Sequence, residues 1–124
     1  MGFVEPGVDI CEISRIQEAV DKHPAFKHRI FTSEEITQSE QVEGSLRYRR
    51  FTDCYAGKEA VAKAIGGIPH KFMDIVITRN EEDKPEVELR GKARQWAGER
   101  GILHISLSFS QIKDEVIAVC IAEG

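Results

Sequence analysis

The chain has 124 residues, 41% of them hydrophobic, and a formal net charge of -4. That length fits a single domain spanning residues 1–124, and the negative balance offers no overall basic field for nucleic acid. Cys11, Cys54 and Cys120 lack paired spacing, which argues against a disulfide framework or a structural zinc site and for a reduced, cytoplasmic setting.

The segment Met1 to Asp9 lacks the basic region and long apolar run of a signal peptide. No stretch approaches the about 18 apolar residues of a membrane span. Val4 to Ile10 is a short apolar run interrupted by Pro6 and Gly7, and predicts an irregular strand. Ile13, Ile16 and Val20 recur at helical spacing. A second short helix is expected over Ala25 to Phe31. Thr32 with Glu35 predicts a capping box opening a third helix. Gln38 to Gly44 is polar and predicts a loop. Ser45 to Ile65 is the longest helical pattern, with Phe51, Tyr55, Ala62 and Ile65 on one stripe. Gly66 to Pro69 stops it. Phe72 to Thr78 and Pro85 to Leu89 predict two strands around a polar turn. Gly91 to Arg100 predicts a helix. Ile102 to Phe109 alternates as a half-buried strand does, and Glu115 to Ala122 is a nearly continuous apolar strand. Helices first, then a hairpin, a helix and a second hairpin predict an α+β fold of antiparallel strands rather than a doubly wound parallel sheet.

Chemistry concentrates in the long helix and at Asp9. Lys58 falls inside the apolar stripe, while Glu59 and Lys63 sit one turn apart on its flank. From spacing alone, Glu59 and Lys63 make a surface salt bridge and Lys58 reaches along the stripe to water. The alternative is a carboxylate and an amine facing a phosphate–metal centre, since Mg2+ often takes one or two carboxylates plus substrate phosphates. Asp9 caps the first helix or serves as a metal ligand. Arg47, Arg49 and Arg50 form a local basic cluster.

Gly7-Val8-Asp9-Ile10-Cys11-Glu12-Ile13-Ser14-Arg15-Ile16 resembles the G-x-D-I-x-E-x-x-R-I signature of holo-acyl-carrier-protein synthases. Phe26 to Glu35 resembles the family's next block. Lys58-Glu59-Ala60-Val61-Ala62-Lys63-Ala64 resembles its K-E-A-x-x-K-A core. Asp74-Ile75 with Lys84-Pro85, and His104-Ile105-Ser106-Leu107-Ser108, resemble its middle hairpin and its H-x-S-L-S segment. The five blocks appear in family order and span almost the whole chain.

The resemblance implies the 4′-phosphopantetheinyl transferase fold and an enzyme of that class. Such enzymes transfer the 4′-phosphopantetheine of coenzyme A to a serine of apo-acyl carrier protein and release adenosine 3′,5′-bisphosphate. By position, Asp9 and Glu59 would hold Mg2+, and Asp9, Glu59 and Lys63 would form the catalytic set. Lys58, Lys63, Ser108 and Arg50 would contact coenzyme A. Arg15 and Lys22 would meet the carrier protein. A homotrimer is implied, with coenzyme A at subunit interfaces and no nucleic acid or membrane partner. Two positions depart from the pattern. Cys54 stands where the family usually has arginine, and Phe109 where a second histidine is usual. The Arg47, Arg49 and Arg50 cluster, His70 and Lys71 are possible substitutes. A degenerate member that binds carrier or coenzyme A without turnover is the competing reading, and a small nucleotide-binding protein is a third.

Overall fold

The computed structural model describes residues 2–67 and 72–124. His70 and Lys71, and the Ile68-Pro69 end of the expected helix stop, lie outside the described residues. The fold is α+β. A three-stranded antiparallel sheet has the order β1 (Val4–Glu12), β5 (Glu115–Glu123), β4 (His104–Ile112). A separate hairpin pairs β2 (Ile75–Arg79) with β3 (Pro85–Leu89). Helices α1 (Ile13–Lys22), α2 (Pro24–Ile30), α3 (Ser33–Glu40) and α4 (Ser45–Ala64) separate β1 from the hairpin, and α5 (Gly91–Glu99) precedes β4.

The first strand is regular where Pro6 and Gly7 predict interruption. Pro6 is tolerated because β1 is an edge strand, with β5 its one partner in the sheet. Gly7 serves a different need. A Cβ there would lie 2.0 Å from the Ala60 carbonyl oxygen and 2.7 Å from the Ala64 nitrogen, so α4 crosses the strand in direct backbone contact. Gly57 lets the helix approach the sheet again, its absent Cβ only 3.1 Å from the Phe109 ring.

The third helix begins as predicted. The Thr32 hydroxyl accepts from the Glu35 amide at 3.3 Å, and the Glu35 carboxylate accepts from the Thr32 amide at 2.8 Å. The first helix does not. Asp9 lies in the middle of β1, opposite Ala118, and cannot cap a helix that starts at Ile13. Its cap comes from the turn between β4 and β5 instead. The Ile13 amide donates to the Asp114 carbonyl at 2.7 Å, and the Ser14 hydroxyl donates to the Asp114 carboxylate at 2.6 Å. Phe72 to Asp74 forms a 3-10 turn rather than the start of a strand.

Burial around α4 exceeds the single stripe. Phe51, Thr52, Asp53, Cys54, Ala56, Lys58, Ala60, Val61 and Ala64 are all buried. The sheet covers one side of this helix, and α1, α3 and β2 cover the other. Helix α4 is therefore the hub on which both layers pack. The opposite face of the sheet is open. Val8 of β1, Val119 of β5 and Ser108 of β4 align across it, and Val8 and Val119 are both exposed.

Candidate active site

The contact at Gly7 places the end of α4 over β1. Asp9 is two residues along the strand and therefore on the same face. Lys63 lies on the last turn of the helix, one turn beyond Glu59. The Lys63 ammonium donates to the Val8 carbonyl at 2.9 Å and pairs with the Asp9 carboxylate at 3.2 Å. The surface pair expected between Glu59 and Lys63 is thus replaced by a long-range pair to the strand.

Asp9 and Glu59 act on the same two groups. Burial first, then Asp9 and more weakly Glu59, push the Cys11 thiol up to about 11. Burial and then Glu59 push the Tyr55 hydroxyl upward, with a smaller push from Asp9. The Arg15 guanidinium opposes both shifts. Asp9, Glu59 and Arg15 therefore lie within electrostatic reach of the same two groups, Cys11 and Tyr55, and the Lys63 ammonium joins them through its pair with Asp9.

This donor set fits one cation type. Among the described residues, no cluster of three or more His, Cys, Asp or Glu side chains is placed to hold a metal. Asp9 and Glu59 supply only hard oxygen donors. Mg2+ binds through one or two carboxylates and completes its shell with water and substrate phosphates, so these residues fit Mg2+ better than zinc or calcium.

Several expected contacts lie elsewhere. Lys58 is completely buried, so it neither reaches water nor faces a phosphate. Its ammonium donates to the carbonyls of Phe72 and Ile75 at 2.8 and 2.5 Å and pairs with Glu35 at 2.8 Å. Burial pulls the Lys58 ammonium below its usual range, and Glu35 opposes this. Ser108 is exposed on the outer sheet face, the side away from α4, so it does not join Asp9 and Lys63 within one chain. Arg50 is nine residues before Glu59, about 13 Å along the helix axis, and pairs with Asp83 at 3.3 Å. Arg15 borders the site, whereas Lys22, two turns along α1, pairs with Glu18 at 3.5 Å in solvent.

The two departures from the family pattern meet in one place. The Cys54 thiol is buried and donates to the Ile77 carbonyl at 3.5 Å, and burial raises its pKa strongly. Phe109 packs on Gly57, and the Arg79 guanidinium lies 5.7 Å from its ring centroid. Asp53 holds Arg79 at 2.7 Å and Arg49 at 2.8 Å. Burial raises the Asp53 carboxyl, and the two arginines counter it. Thus β2 brings a guanidinium beside the positions where the family carries arginine and histidine. Spacing gives no sign of this, because Arg79 is 26 residues from Asp53.

Comparison with known proteins identifies the family. The chain is 39% identical over 120 residues to the holo-[acyl-carrier-protein] synthase of Caldanaerobacter subterraneus, covering 95% of this chain and 93% of that one. A crystal structure of holo-[acyl-carrier-protein] synthase from Neisseria meningitidis superposes with a TM-score of 0.81 at 36% identity, covering 97% and 98% of the two chains. The Bacillus anthracis synthase, solved in complex with CoA (3′,5′-ADP), gives a TM-score of 0.80 at 28% identity over 100% and 99%. The family pattern matches residues 5–120, which hold Asp9, Glu59 and Lys63 alike, and the chain belongs to the 4′-phosphopantetheinyl transferase superfamily.

Proposed function

We propose that the chain is a holo-acyl-carrier-protein synthase, transferring 4′-phosphopantetheine from coenzyme A to a serine of an apo-acyl carrier protein. The pairing of Lys63 with Asp9, one helical turn beyond Glu59 on α4, is the observation that carries this reading. Phosphoryl transfer needs positioning and charge neutralisation more than covalent catalysis. The new bond joins the serine oxygen to the phosphorus of the pantetheine phosphate. The bond to adenosine 3′,5′-bisphosphate breaks, and the serine loses its proton.

Each residue has a part in that exchange. The half-exposed Lys63 ammonium exchanges Asp9 for a substrate phosphate and holds it as a point charge. Asp9 and Glu59 would hold Mg2+, which when bound supplies charge neutralisation for the diphosphate. Glu59 is the candidate acceptor for the serine proton. Arg15, exposed on α1 beside these groups, suits an acidic carrier surface, with Lys22 two turns away extending it.

A homotrimer would cover the open sheet face, where Val4, Val8 and Ile10 are 62, 47 and 57% exposed. The same packing would carry Ser108, on that face, to a neighbouring copy. Three free, buried cysteines suit a reducing compartment, for which we propose the cytoplasm. No helix among the described residues is long and apolar enough to cross a membrane.

The test is the mass of an apo-carrier protein after incubation with coenzyme A and Mg2+. Transfer adds roughly 340 Da, the mass of the arm. The apolar Phe109 and buried Cys54 favour one rival, a non-catalytic carrier binder. Carrier binding without any mass gain, across several carriers, would establish that rival instead.

A further inference from the structure

The last turn of α4 opens onto a cavity of about 460 Å3, whose lining includes Phe3, Glu5, Lys63, Gly66, Arg100 and Ile102. Lys63 belongs both to this cavity and to the pair with Asp9, so the cavity continues directly from the site described above. Arg100 stands on its wall just after α5, held between an anchored ring and a glycine. Its guanidinium carbon lies 4.3 Å from the centroid of the Trp96 ring. Trp96 is itself anchored, its indole N–H donating to the Ile65 carbonyl at 2.8 Å. Gly66, at φ +112°, comes so near that a Cβ there would lie 2.9 Å from the guanidinium carbon.

None of these contacts uses the guanidinium N–H groups. Arg47, Arg49, Arg50, Arg79 and Arg90 each pair with a carboxylate. Arg100 has no such partner among the described residues, where its guanidinium lies against the Trp96 ring and Gly66. A planar fork of five donors, held in place with no carboxylate partner among the described residues, matches phosphate oxygens better than any neutral group. Its ordering is already accomplished in the free protein, which favours ligand affinity. Glu5 is the carboxylate in the lining, set against the two cations Lys63 and Arg100.

We propose that Arg100 is a phosphate-binding, specificity-determining residue, donating to a phosphoryl group of coenzyme A lodged in this cavity beside Lys63. The proposal rests on the coenzyme A reading above. Coenzyme A carries phosphate in two places, the diphosphate and the ribose 3′-phosphate, and dephospho-coenzyme A lacks the second.

Calorimetric titration with each ligand, in Mg2+ and without carrier protein, separates them. Arg100→Leu is expected to weaken coenzyme A binding about tenfold or more, and Arg100→Lys less, with the melting temperature of this exposed site unchanged. A loss confined to coenzyme A places Arg100 on the 3′-phosphate, and an equal loss with both ligands places it on the diphosphate. Unchanged affinity for both ligands in Arg100→Leu overturns the proposal. A parent protein that binds coenzyme A but modifies no carrier would sink the transferase reading and leave the Arg100 result standing. A parent that binds neither ligand overturns both.

Discussion

Lys58 and Lys63 lie five residues apart on one helix, and each pairs with a carboxylate from a distant segment. Their surroundings are opposite. Lys58 and Glu35 both have side chains of 0% exposure, while Lys63 is 54% and Asp9 16% exposed. The enclosed ammonium spends its donors on Glu35 and two backbone carbonyls, locking α4 to α3 and to the start of the hairpin. The second Glu35 oxygen accepts from the Ile77 amide at 2.7 Å, completing that lock. The open pair has solvent on one side and a cavity beside it, and under the proposed function an incoming phosphate would take the ammonium from Asp9. Two similar ion pairs thus divide into one that builds the fold and one that is free to exchange partners.

Breaking the enclosed pair should have the largest effect. Lys58→Met leaves Glu35 buried without its cation, and is expected to cost about 3–5 kcal/mol in urea unfolding. Glu35→Gln should cost a similar amount, and the double variant less than the sum of the two. A Lys58→Met protein as stable as the parent would erase the distinction between the pairs.

The open site, Glu59 together with the Lys63–Asp9 pair, should respond in function and not in stability. Glu59→Gln is expected to lower turnover on the order of a hundredfold, with the unfolding free energy in urea changed by less than about 0.5 kcal/mol. Parental turnover in that variant would remove Glu59 from the metal site. Lys63→Ala should weaken coenzyme A binding about tenfold and leave stability within about 0.5 kcal/mol. Loss of stability without loss of affinity would make Lys63 a structural residue like Lys58.

A third pair gives the smallest effect. Glu34 contacts Arg90, which holds its carboxyl down at about 2 against an ordinary 4.5. A depressed acid stabilises the fold above its unfolded value, and that stability is lost as pH falls from about 4.5 towards 2. The group is largely exposed, so the effect stays below about 0.5 kcal/mol. Glu34→Gln should flatten this part of the stability profile, and an unchanged acid limb would rule out the contribution.

Much of this was legible in the sequence, and the failures share a cause. Hydrophobic spacing located α1, α4 and β5, and the Thr32–Glu35 motif marked the start of α3 because its signal is local. The resemblance brought Asp9, Glu59 and Lys63 forward, and the fold gathers Asp9 and Lys63 through the glycine contact at Gly7. Lys58 was misread because its burial depends on α3 and the hairpin, neither of which the helical period contains. Asp114 at the start of α1 and Arg79 beside Phe109 were invisible for the same reason. Each acts across a sequence distance that no local pattern spans. The Arg100 site likewise depends on Gly66 and Trp96 converging from different elements.

The central claim is that Asp9 and Glu59 share one divalent ion against the phosphates of coenzyme A. Its most direct test is coenzyme A affinity with and without Mg2+ in the parent, Asp9→Asn and Glu59→Gln proteins. Mg2+ is expected to tighten binding in the parent, and either substitution to abolish that gain. Affinity in the parent that does not change with Mg2+, or a gain that survives both substitutions, would contradict it.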